Sequence, residues 1–287
     1  MPAFETSTGL PYPRVNLRHG VFIYEGSDTC SAAVGTLLLE FSLLSRLSGI
    51  PIYEQVAKKA LKTLWELRSP LGLMGNSLLY ATSQWTHTQT GIGAGVDSFY
   101  EYLLKSWIFL GDQEYLSMWE EAYQAVMTHI KDASGFIYKN VDMNTGKLVA
   151  TWIDSLGAFF PGLQVLHGDL ENAIKHHAMY FAIWKKFGGL PERFNWKTGQ
   201  MDSSYYPLRP ELFESTYMLY QATKDPFYLY AGKVMLEDLE KNAQVECGYA
   251  TISNLGSMDK DPRMESFFLS ETLKYLYLLF DIGNFIK

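Results

Sequence analysis

The sequence predicts an all-α fold that is built from pairs of helices. Three observations support this class: apolar residues recur at three- and four-residue steps, short capped turns join successive helices, and those turns repeat at a nearly constant interval. The chain has 287 residues, of which 47% are hydrophobic and 19% are charged, so it can bury a sizeable core. We therefore expect residues 1–287 to form a single domain.

The helical period divides the chain into separate segments. The first predicted helix covers residues 30–47, where apolar residues form one stripe and Gly49 and Pro51 follow as terminators. The same pattern predicts helices over residues 52–67, 98–110, 113–130, 155–166, 170–186, 212–222, 226–241 and 266–280.

The turns between paired helices repeat along the chain. Asp112, Asp169 and Asp225 each follow one helix and precede the next, at intervals of 57 and 56 residues. An aspartate in this position accepts hydrogen bonds from the free backbone N–H groups of the following helix. A fixed period of this length is typical of an array or toroid of helix pairs.

A carboxylate also opens the other helix of each pair. These acids are Asp97, Asp154, Glu211 and Glu265, which are spaced by 57, 57 and 54 residues. Each one complements the positive end of its helix dipole, which stabilises the helix by roughly 0.3–1 kcal/mol. If the pairs close into a ring, the four side chains also converge on one rim. There they would form a cation site or an acid/base pair for glycoside hydrolysis, and the repeat leaves these interpretations open.

Long loops rich in glycine and aromatic residues lead into those helices. Residues 72–95 and 188–210 include Trp85 and Trp196, and loops of this length in a compact protein are usually functional or disordered. Their aromatic content argues against disorder, and we expect short β-hairpins in them. Aromatic residues make up 15% of the chain, and such rings either fill a core or stack on the apolar face of a sugar.

Composition argues against several functions. The net charge of −7 argues against the basic surface that a nucleic-acid-binding protein needs. No apolar run of the sequence is long enough for a membrane span. The N-terminal residues show no secretory signal. Cys30 and Cys247 are too few for a disulfide scaffold and lack the spacing of a zinc site. Buried free thiols are favoured, and a disulfide between the two stays open. His176 and His177 have no third ligand nearby in sequence, so a solvated helix face explains them better than a metal site.

Several longer segments carry a more specific pattern. They are GLPYPRVNL (9–17), DSFYEYLLK (97–105), WIDS (152–155), FFPGLQVL (159–166), LPE (190–192), PLRPE (207–211), ES (214–215) and MESFFLSETLKY (264–275). Together they resemble glycoside hydrolase family 47, the calcium-dependent class I α-1,2-mannosidases, and its ER degradation-enhancing α-mannosidase-like branch. The resemblance implies that residues 1–287 form a single partial glycosidase domain, an incomplete (α/α)7 barrel or toroid of helix pairs with short β-hairpins in the rim loops.

The resemblance also implies a reaction. Terminal α-1,2-linked mannose is hydrolysed with inversion from high-mannose N-glycans of misfolded glycoproteins. An inverting glycosidase needs a general acid at the leaving oxygen and a general base that activates water. The family motifs place catalytic carboxylates at Asp97, Glu192 and Glu211. Glu211 is the candidate general base, Asp97 acts on the leaving-group side through water, and Glu192 is a further acid or base.

Further site residues follow from the same motifs. Arg209 is expected to bind sugar hydroxyls, and Phe267 is expected to stack on the sugar ring. Glu214 and Glu271 are expected to hold sugar hydroxyls or the water molecules around a Ca²⁺ ion. The family's direct calcium ligand, a threonine beyond the last helix, and its first catalytic glutamate, before the 9–17 motif, are both missing here. We therefore expect weak or no turnover from this chain.

The resemblance places the parent protein in the lumen of the endoplasmic reticulum, with high-mannose N-glycans and an ER oxidoreductase as partners. Gly95 stands where the processing α-mannosidases have an arginine, so oligosaccharide handling should differ. Two alternatives stay open. One is a lectin-like glycan-binding quality-control protein without turnover. The other is a different α/α toroid such as a prenyltransferase subunit, which needs a zinc-type ligand set that the sequence lacks.

Overall fold

The computed structural model describes residues 1–21, 26–281 and 283. The chain forms two compact units, one of Met1–Lys131 with Lys139–Ala150 and one of Asp132–Tyr138 with Thr151–Lys287. Each unit combines helices with short antiparallel sheets, so the predicted all-α class with short hairpins is confirmed. The single domain stays a prediction. None of the helices in the described ranges has the length and apolar character needed to cross a membrane.

In its described residues, the first unit opens with a short 3-10 helix and has five α-helices. The α-helices are α1 (Ser31–Gly35), α2 (Leu38–Ser48), α3 (Ile52–Glu66), α4 (Asp97–Leu110) and α5 (Gln113–Ala125), and α5 continues as a π-helix over Val126–Ile130. One antiparallel sheet consists of β1 (Asp28–Cys30), β2 (Ser77–Leu79) and β3 (Trp85–His87). A second consists of β4 (Gln89–Thr90), β5 (Asn140–Asp142) and β6 (Leu148–Ala150).

The helix predicted over residues 30–47 is wrong in its extent, because the structure shows a strand end and two helices there. Cys30 ends β1, and its thiol caps α1 by accepting a backbone hydrogen bond at 3.3 Å. Gly35 ends α1 so close to Phe99 that a Cβ would lie 2.6 Å from the ring. The Thr36 hydroxyl then donates to the carbonyl four residues before it at 2.7 Å, a bond that tends to bend helices.

The second unit contains the remaining elements. One antiparallel sheet consists of β7 (Trp152–Asp154), β8 (Arg193–Asn195) and β9 (Gln200–Ser203). Two hairpins follow, β10 (Gln244–Val245) with β11 (Gly248–Tyr249), and β12 (Thr251–Asn254) with β13 (Asp259–Asp261). A 3-10 helix (Ser155–Phe159) leads into α6 (Phe160–His167), and later helices are α7 (Leu170–Phe187), α8 (Glu211–Thr223) and α9 (Pro226–Ala243). A π-helix (Phe268–Thr272) continues into α10 (Leu273–Phe280).

The repeated aspartates cap helices as predicted. Asp112, Asp169 and Asp225 accept hydrogen bonds from first-turn amides of α5, α7 and α9 at 3.0, 3.2 and 2.8 Å. A residue in the left-handed conformation ends each preceding helix. The repeated turn of the helix pair is therefore confirmed in both units.

Aromatic residues position the loop before α8. The Trp184 ring of α7 lies edge-on to Tyr206 and Phe213, with centroid separations of 5.4 Å in both cases. Its indole N–H donates to Asp238 of α9 at 2.9 Å. Phe213 belongs to α8 and Tyr206 to the loop that precedes it. This cluster therefore holds that loop against the helices of the second unit.

His176 and His177 are buried in α7, which corrects the prediction of a solvated face. His177 Nε2 lies 2.8 Å from the Thr216 hydroxyl oxygen, and His176 packs against the rings of Tyr138, Phe160 and Tyr180. Burial lowers the pKa of both imidazoles to about 3, and the neighbouring His177 contributes to the fall at His176. A neutral imidazole packs as an aromatic ring, which sequence polarity does not reveal.

The two cysteines are free thiols. Cys30 is half-buried at the start of α1, whereas Cys247 is exposed. The expectation of a buried thiol is wrong for Cys247, because it lies in the tight turn between β10 and β11, at the surface.

Candidate active site

Asp97 is the first residue of α4 in the first unit. Its Oδ1 accepts hydrogen bonds from the Ser98 amide at 2.7 Å and from the Ser98 hydroxyl at 3.2 Å. The amide of Asp97 donates to the Gly93 carbonyl at 2.9 Å. The predicted position at a helix start is confirmed, and the positive end of the helix dipole stabilises the carboxylate there. Its catalytic role stays a prediction.

Asn76 holds the loop that leads into Asp97. Its Nδ2 donates to the Ala94 carbonyl at 2.6 Å, and its Oδ1 accepts from the Ser77 hydroxyl at 2.8 Å. Gly95 has a φ of +89°, and a Cβ at this position would lie 2.4 Å from Asn76 Nδ2. A larger side chain therefore does not fit this backbone. This is a physical reason for glycine at position 95.

Gly95→Ala is expected to lower the free energy of unfolding by about 3 kcal/mol, because left-handed strain adds to the collision with Asn76. Gly111→Ala is a matched control, since Gly111 has a φ of +77° at the end of α4 with nothing within 4 Å of a Cβ. The control should lose only about 1 kcal/mol. Urea unfolding measures both variants, and equal losses would contradict the collision.

Glu192 and Arg209 form a two-point ion pair in the second unit. Arg209 Nη2 donates to Glu192 Oε2 at 3.1 Å, and Arg209 Nε donates to Glu192 Oε1. The Ser155 hydroxyl also donates to Glu192 Oε1, at 3.3 Å. Parallel N–H···O bonds of this kind fix the planes of both groups. Each side chain is 22% exposed, so solvent reaches the pair.

Backbone hydrogen bonds bring separate segments together at this ion pair. The Glu192 amide donates to the Tyr205 carbonyl at 2.9 Å, and the Glu192 carbonyl accepts from the Ser155 amide at 3.2 Å. Glu192 directly precedes β8, and Arg209 lies two residues before α8. The sheet of β7, β8 and β9 therefore positions Glu192 next to the start of α8.

Glu211, the first residue of α8, carries a buried carboxyl oxygen. Its Oε2 has no hydrogen-bond partner among the described residues, although the residue as a whole is only half-buried. Burial raises the pKa of Glu211 to about 8. The charge of Arg209 and a hydrogen bond from the backbone amide of Glu211 oppose this rise, while the charges of Glu214 and Glu192 add to it. The carboxyl therefore keeps its proton at pH 7.

Arg209 lies among carboxylates and against an aromatic ring. Burial alone would lower the pKa of its guanidinium, but the hydrogen bond to Glu192 and the charge of Glu192 raise it above its ordinary value, with smaller contributions from other carboxyl groups. The guanidinium carbon lies 5.9 Å from the centroid of the Phe267 ring. We call Glu192, Arg209, Glu211 and Phe267 the carboxylate–arginine cluster.

Glu214 and Glu271 lie on neighbouring helices. Glu214 Oε1 accepts from the Tyr275 hydroxyl of α10 at 3.0 Å. Glu271 is half-buried in the π-helix, an element that often occurs at functional sites. Carboxylate oxygens suit calcium. Within residues 1–21, 26–281 and 283, His, Cys, Asp and Glu side chains form no group of three or more that could hold a metal ion.

The predicted site residues therefore divide between the two units. Glu192, Arg209, Glu211 and Phe267 lie together in the second unit, Glu214 follows one turn later on α8, and Glu271 follows Phe267 on the π-helix. Asp97 belongs to the first unit.

Sequence reasoning missed three residues that support the cluster. They are Ser155, Leu208 and Thr272. The Ser155 hydroxyl donates to Glu192, and the Thr272 hydroxyl donates to the carbonyl of Leu208, the residue directly before Arg209. The spacing of Pro207 and Pro210 was the available signal, because two prolines flank Leu208 and Arg209 and restrict their backbone.

Solved structures show which class of protein has this fold. An α-1,2-mannosidase from Trichoderma reesei superimposes with a TM-score of 0.87 at 25% identity, over 97% of this chain and 66% of that chain. A D-mannose isomerase shares the fold alone, with a TM-score of 0.67 at 13% identity, over 90% of this chain and 72% of that chain. The fold is thus that of the α-1,2-mannosidase, a helical barrel, as predicted. The family model of glycosyl hydrolase family 47 matches residues 1–287, and the chain belongs to this family.

Similar curated proteins include two that are named for the predicted branch. ER degradation-enhancing alpha-mannosidase-like protein 1 of Schizosaccharomyces pombe is 47% identical over 99% of this chain and 36% of its own length. The human ER degradation-enhancing alpha-mannosidase-like protein 2 is 47% identical over 100% of this chain and 50% of its own length. Alpha-mannosidase I MNS4 of Arabidopsis thaliana is 47% identical over 99% and 45%. The chain thus spans half or less of the length of these relatives.

Proposed function

We propose that this chain is the sugar-binding and hydrolytic part of an α-mannosidase that removes terminal α-1,2-linked mannose from high-mannose N-glycans. The observation that carries the proposal is the carboxylate–arginine cluster. In it Glu211, whose pKa burial raises to about 8, lies near Glu192, which Arg209 holds in a two-point ion pair. Two neighbouring carboxyl groups in such different surroundings, within a family 47 fold, are what acid/base hydrolysis of a glycoside needs.

Each residue has a proposed role in an inverting displacement. Arg209 donates hydrogen bonds to mannose hydroxyls, and Phe267 stacks on the apolar face of the ring. Glu211 takes a proton from the water that attacks the anomeric carbon. Glu211 first loses its own proton to solvent, and the hydrogen bond that the attacking water donates to Oε2 favours this ionised form. On the leaving-group side, Asp97 in its protonated form passes a proton through a water molecule to the departing glycosidic oxygen, and Glu192 is a further acid or base.

We also propose that turnover by these 287 residues alone is weak. At pH 7 Glu211 keeps its proton, and Arg209 engages both oxygens of Glu192, so neither group is a ready base. The same observation favours a second candidate function, lectin-like binding of high-mannose glycans without turnover. In both functions the cluster recognises mannose, and only the fate of the glycosidic bond differs.

Calcium forms a separate part of the proposal. Glu271 and Glu214 are proposed to contact a calcium ion through water molecules, because carboxylate oxygens suit calcium and its bound water. The Tyr275 hydroxyl orients Glu214 for this contact. When bound, the ion supplies positive charge that organises sugar hydroxyls. No proton-transfer step assigned above depends on it.

The names of the relatives support a setting. We propose that the whole protein works in the lumen of the endoplasmic reticulum on misfolded glycoproteins, because two of the relatives are named as ER degradation-enhancing. An ER oxidoreductase partner is proposed for the whole protein on the family resemblance.

Mannose release from a high-mannose N-glycan tests the proposal, in calcium and after chelation. The chain should release mannose slowly in calcium and less after chelation. Glu211→Gln should lower release by a factor of about 10² to 10⁴ and leave the affinity for α-1,2-mannobiose within about threefold. Glu237→Gln is the control, because Glu237 is 61% exposed on α9, and it should change neither quantity.

The outcomes separate the two candidates. Glycan binding that Glu211→Gln leaves unchanged, with no mannose released by the unaltered chain, would establish the lectin-like function. Neither binding nor release would contradict both functions. Equal loss of release in Glu211→Gln and Glu237→Gln would remove Glu211 from the mechanism.

A further inference from the structure

The backbone directly before Arg209 is strained at one residue. Proline rings restrict φ at Pro207 and Pro210, and Arg209 precedes a proline, which favours an extended conformation. Leu208 lies between these restricted residues and adopts the left-handed conformation, with a φ of +63°. Its side chain is fully buried. A bulky residue disfavours this left-handed region, so neighbouring contacts must hold Leu208 there.

Both ends of this segment are anchored to other elements. Tyr206 and Ile252 of β12 exchange two backbone hydrogen bonds, at 2.8 and 2.9 Å. At the other end, the Pro210 carbonyl accepts from the Glu214 amide at 3.0 Å and so begins α8. The backbone conformation between these two anchors therefore depends on the contacts that hold Leu208.

A single side chain holds the carbonyl of Leu208. The Thr272 hydroxyl donates to this oxygen at 2.8 Å, and both residues are 0% exposed. The carbonyl of Leu208 and the amide of Arg209 belong to one rigid peptide plane. The hydroxyl therefore orients the plane from which the Arg209 side chain departs.

This bond is not the usual one for a helical threonine. Thr216 and Thr223 of α8 donate to carbonyls four residues earlier in their own helix, both at 2.7 Å. Thr272 ends the π-helix and donates instead to a loop that lies 64 residues earlier in the chain. The π-helix carrying Glu271 is thereby connected to the segment that carries Arg209 and Glu211.

We propose that Thr272 is a positioning residue, whose hydroxyl holds Leu208 in the left-handed conformation that directs Arg209 to Glu192 and starts α8 at Glu211. Its effect on sugar binding rests on the proposed function. Its effect on the backbone does not, so the two can be tested separately.

Thr272→Val removes the hydroxyl at nearly constant shape, and Thr272→Ser keeps it. Thr251→Val is the matched control, because Thr251 is also 0% exposed and its hydroxyl has no partner within the described chain. If Thr272→Val does not fold, Thr272→Ala removes the same hydroxyl without adding a methyl group. All variants are made in the full chain.

Hydrogen exchange of backbone amides tests the positioning without any sugar. Thr272→Val should exchange about tenfold faster than the unaltered chain at residues 208–214, relative to the rest of the second unit. Thr272→Ser and Thr251→Val should show no such local change. A uniform increase across the unit, or no increase at residues 208–214, would overturn the proposal.

Calorimetric binding of α-1,2-mannobiose tests the consequence for the site. Thr272→Val should bind about tenfold more weakly, Thr272→Ser should restore the affinity, and Thr251→Val should match the unaltered chain. Equal affinities in Thr272→Val and Thr251→Val would overturn the positioning of Arg209. If the unaltered chain binds no mannobiose, the proposed function fails, and hydrogen exchange still decides the role of Thr272.

Discussion

Replacing Glu211 by glutamine is expected to raise the free energy of unfolding by about 3 kcal/mol at pH 7. Burial raises the pKa of Glu211 to about 8 in the folded chain, against an ordinary value of 4.5. The stability that protonated Glu211 contributes is therefore complete below pH 4.5 and is lost as the pH rises toward and through 8. A tenfold change in proton affinity corresponds to about 1.4 kcal/mol, which sets the size of the gain.

Urea unfolding at pH 4, 7 and 9 measures this effect. Glu211→Gln should match the unaltered chain at pH 4, and its advantage should grow from pH 4 to pH 9. Glu237→Gln, on the exposed face of α9, should show no such trend. An advantage that is independent of pH, or a loss at pH 7, would mean that the carboxyl is not buried as described. A gain in stability joined to a loss of mannose release would identify a site that gives up stability for function.

Acid is expected to destabilise the chain through the two buried histidines of α7. Burial lowers the pKa of His176 and His177 to about 3, whereas an exposed histidine titrates near 6.5. As the pH falls, protons therefore bind the unfolded state first. The stability that the neutral imidazoles contribute is lost as the pH falls from 6.5 toward 3. Each histidine should lower the free energy of unfolding by about 3 kcal/mol between pH 7 and pH 4.

His176→Phe isolates this contribution, because the ring fits among Tyr138, Phe160 and Tyr180. Glu211 acts in the opposite direction over part of this pH range, so the variant is compared with the unaltered chain at each pH. The stability of His176→Phe relative to that chain should rise by about 3 kcal/mol from pH 7 to pH 4. His167→Gln, at the exposed end of α6, should leave the pH dependence unchanged. Parallel curves for His176→Phe and the unaltered chain would refute the assignment.

Much of the architecture could be predicted, because its signals are local. The aspartates that cap α5, α7 and α9 act on amides two or three residues away. Asp97 and Glu211 open their helices as the repeat indicated. The errors arose where packing overrides local pattern. α1 ends at Gly35, which packs closely against Phe99, so the predicted helix over residues 30–47 was too long. Aromatic neighbours surround His176, so it is buried rather than solvated.

The candidate site could be predicted only as a set of residues. The family motifs identified Glu192, Arg209 and Glu211, but the charge that each carries depends on its surroundings. Glu192 pairs with Arg209, which lies 17 residues later, and Ser155 binds the same carboxylate from 37 residues earlier. Glu211 keeps its proton because burial outweighs the attraction of Arg209.

The sequence by itself determined the helix pairs, their capped turns, the carboxylates that open the helices and the family to which the chain belongs. Periodicity and capping act over one or two helical turns, so they can be read along the chain. The tertiary structure alone decided the protonation of Glu211, the ion pair of Glu192 and the bond from Thr272 to Leu208. Desolvation and long-range hydrogen bonds depend on segments that only folding brings together.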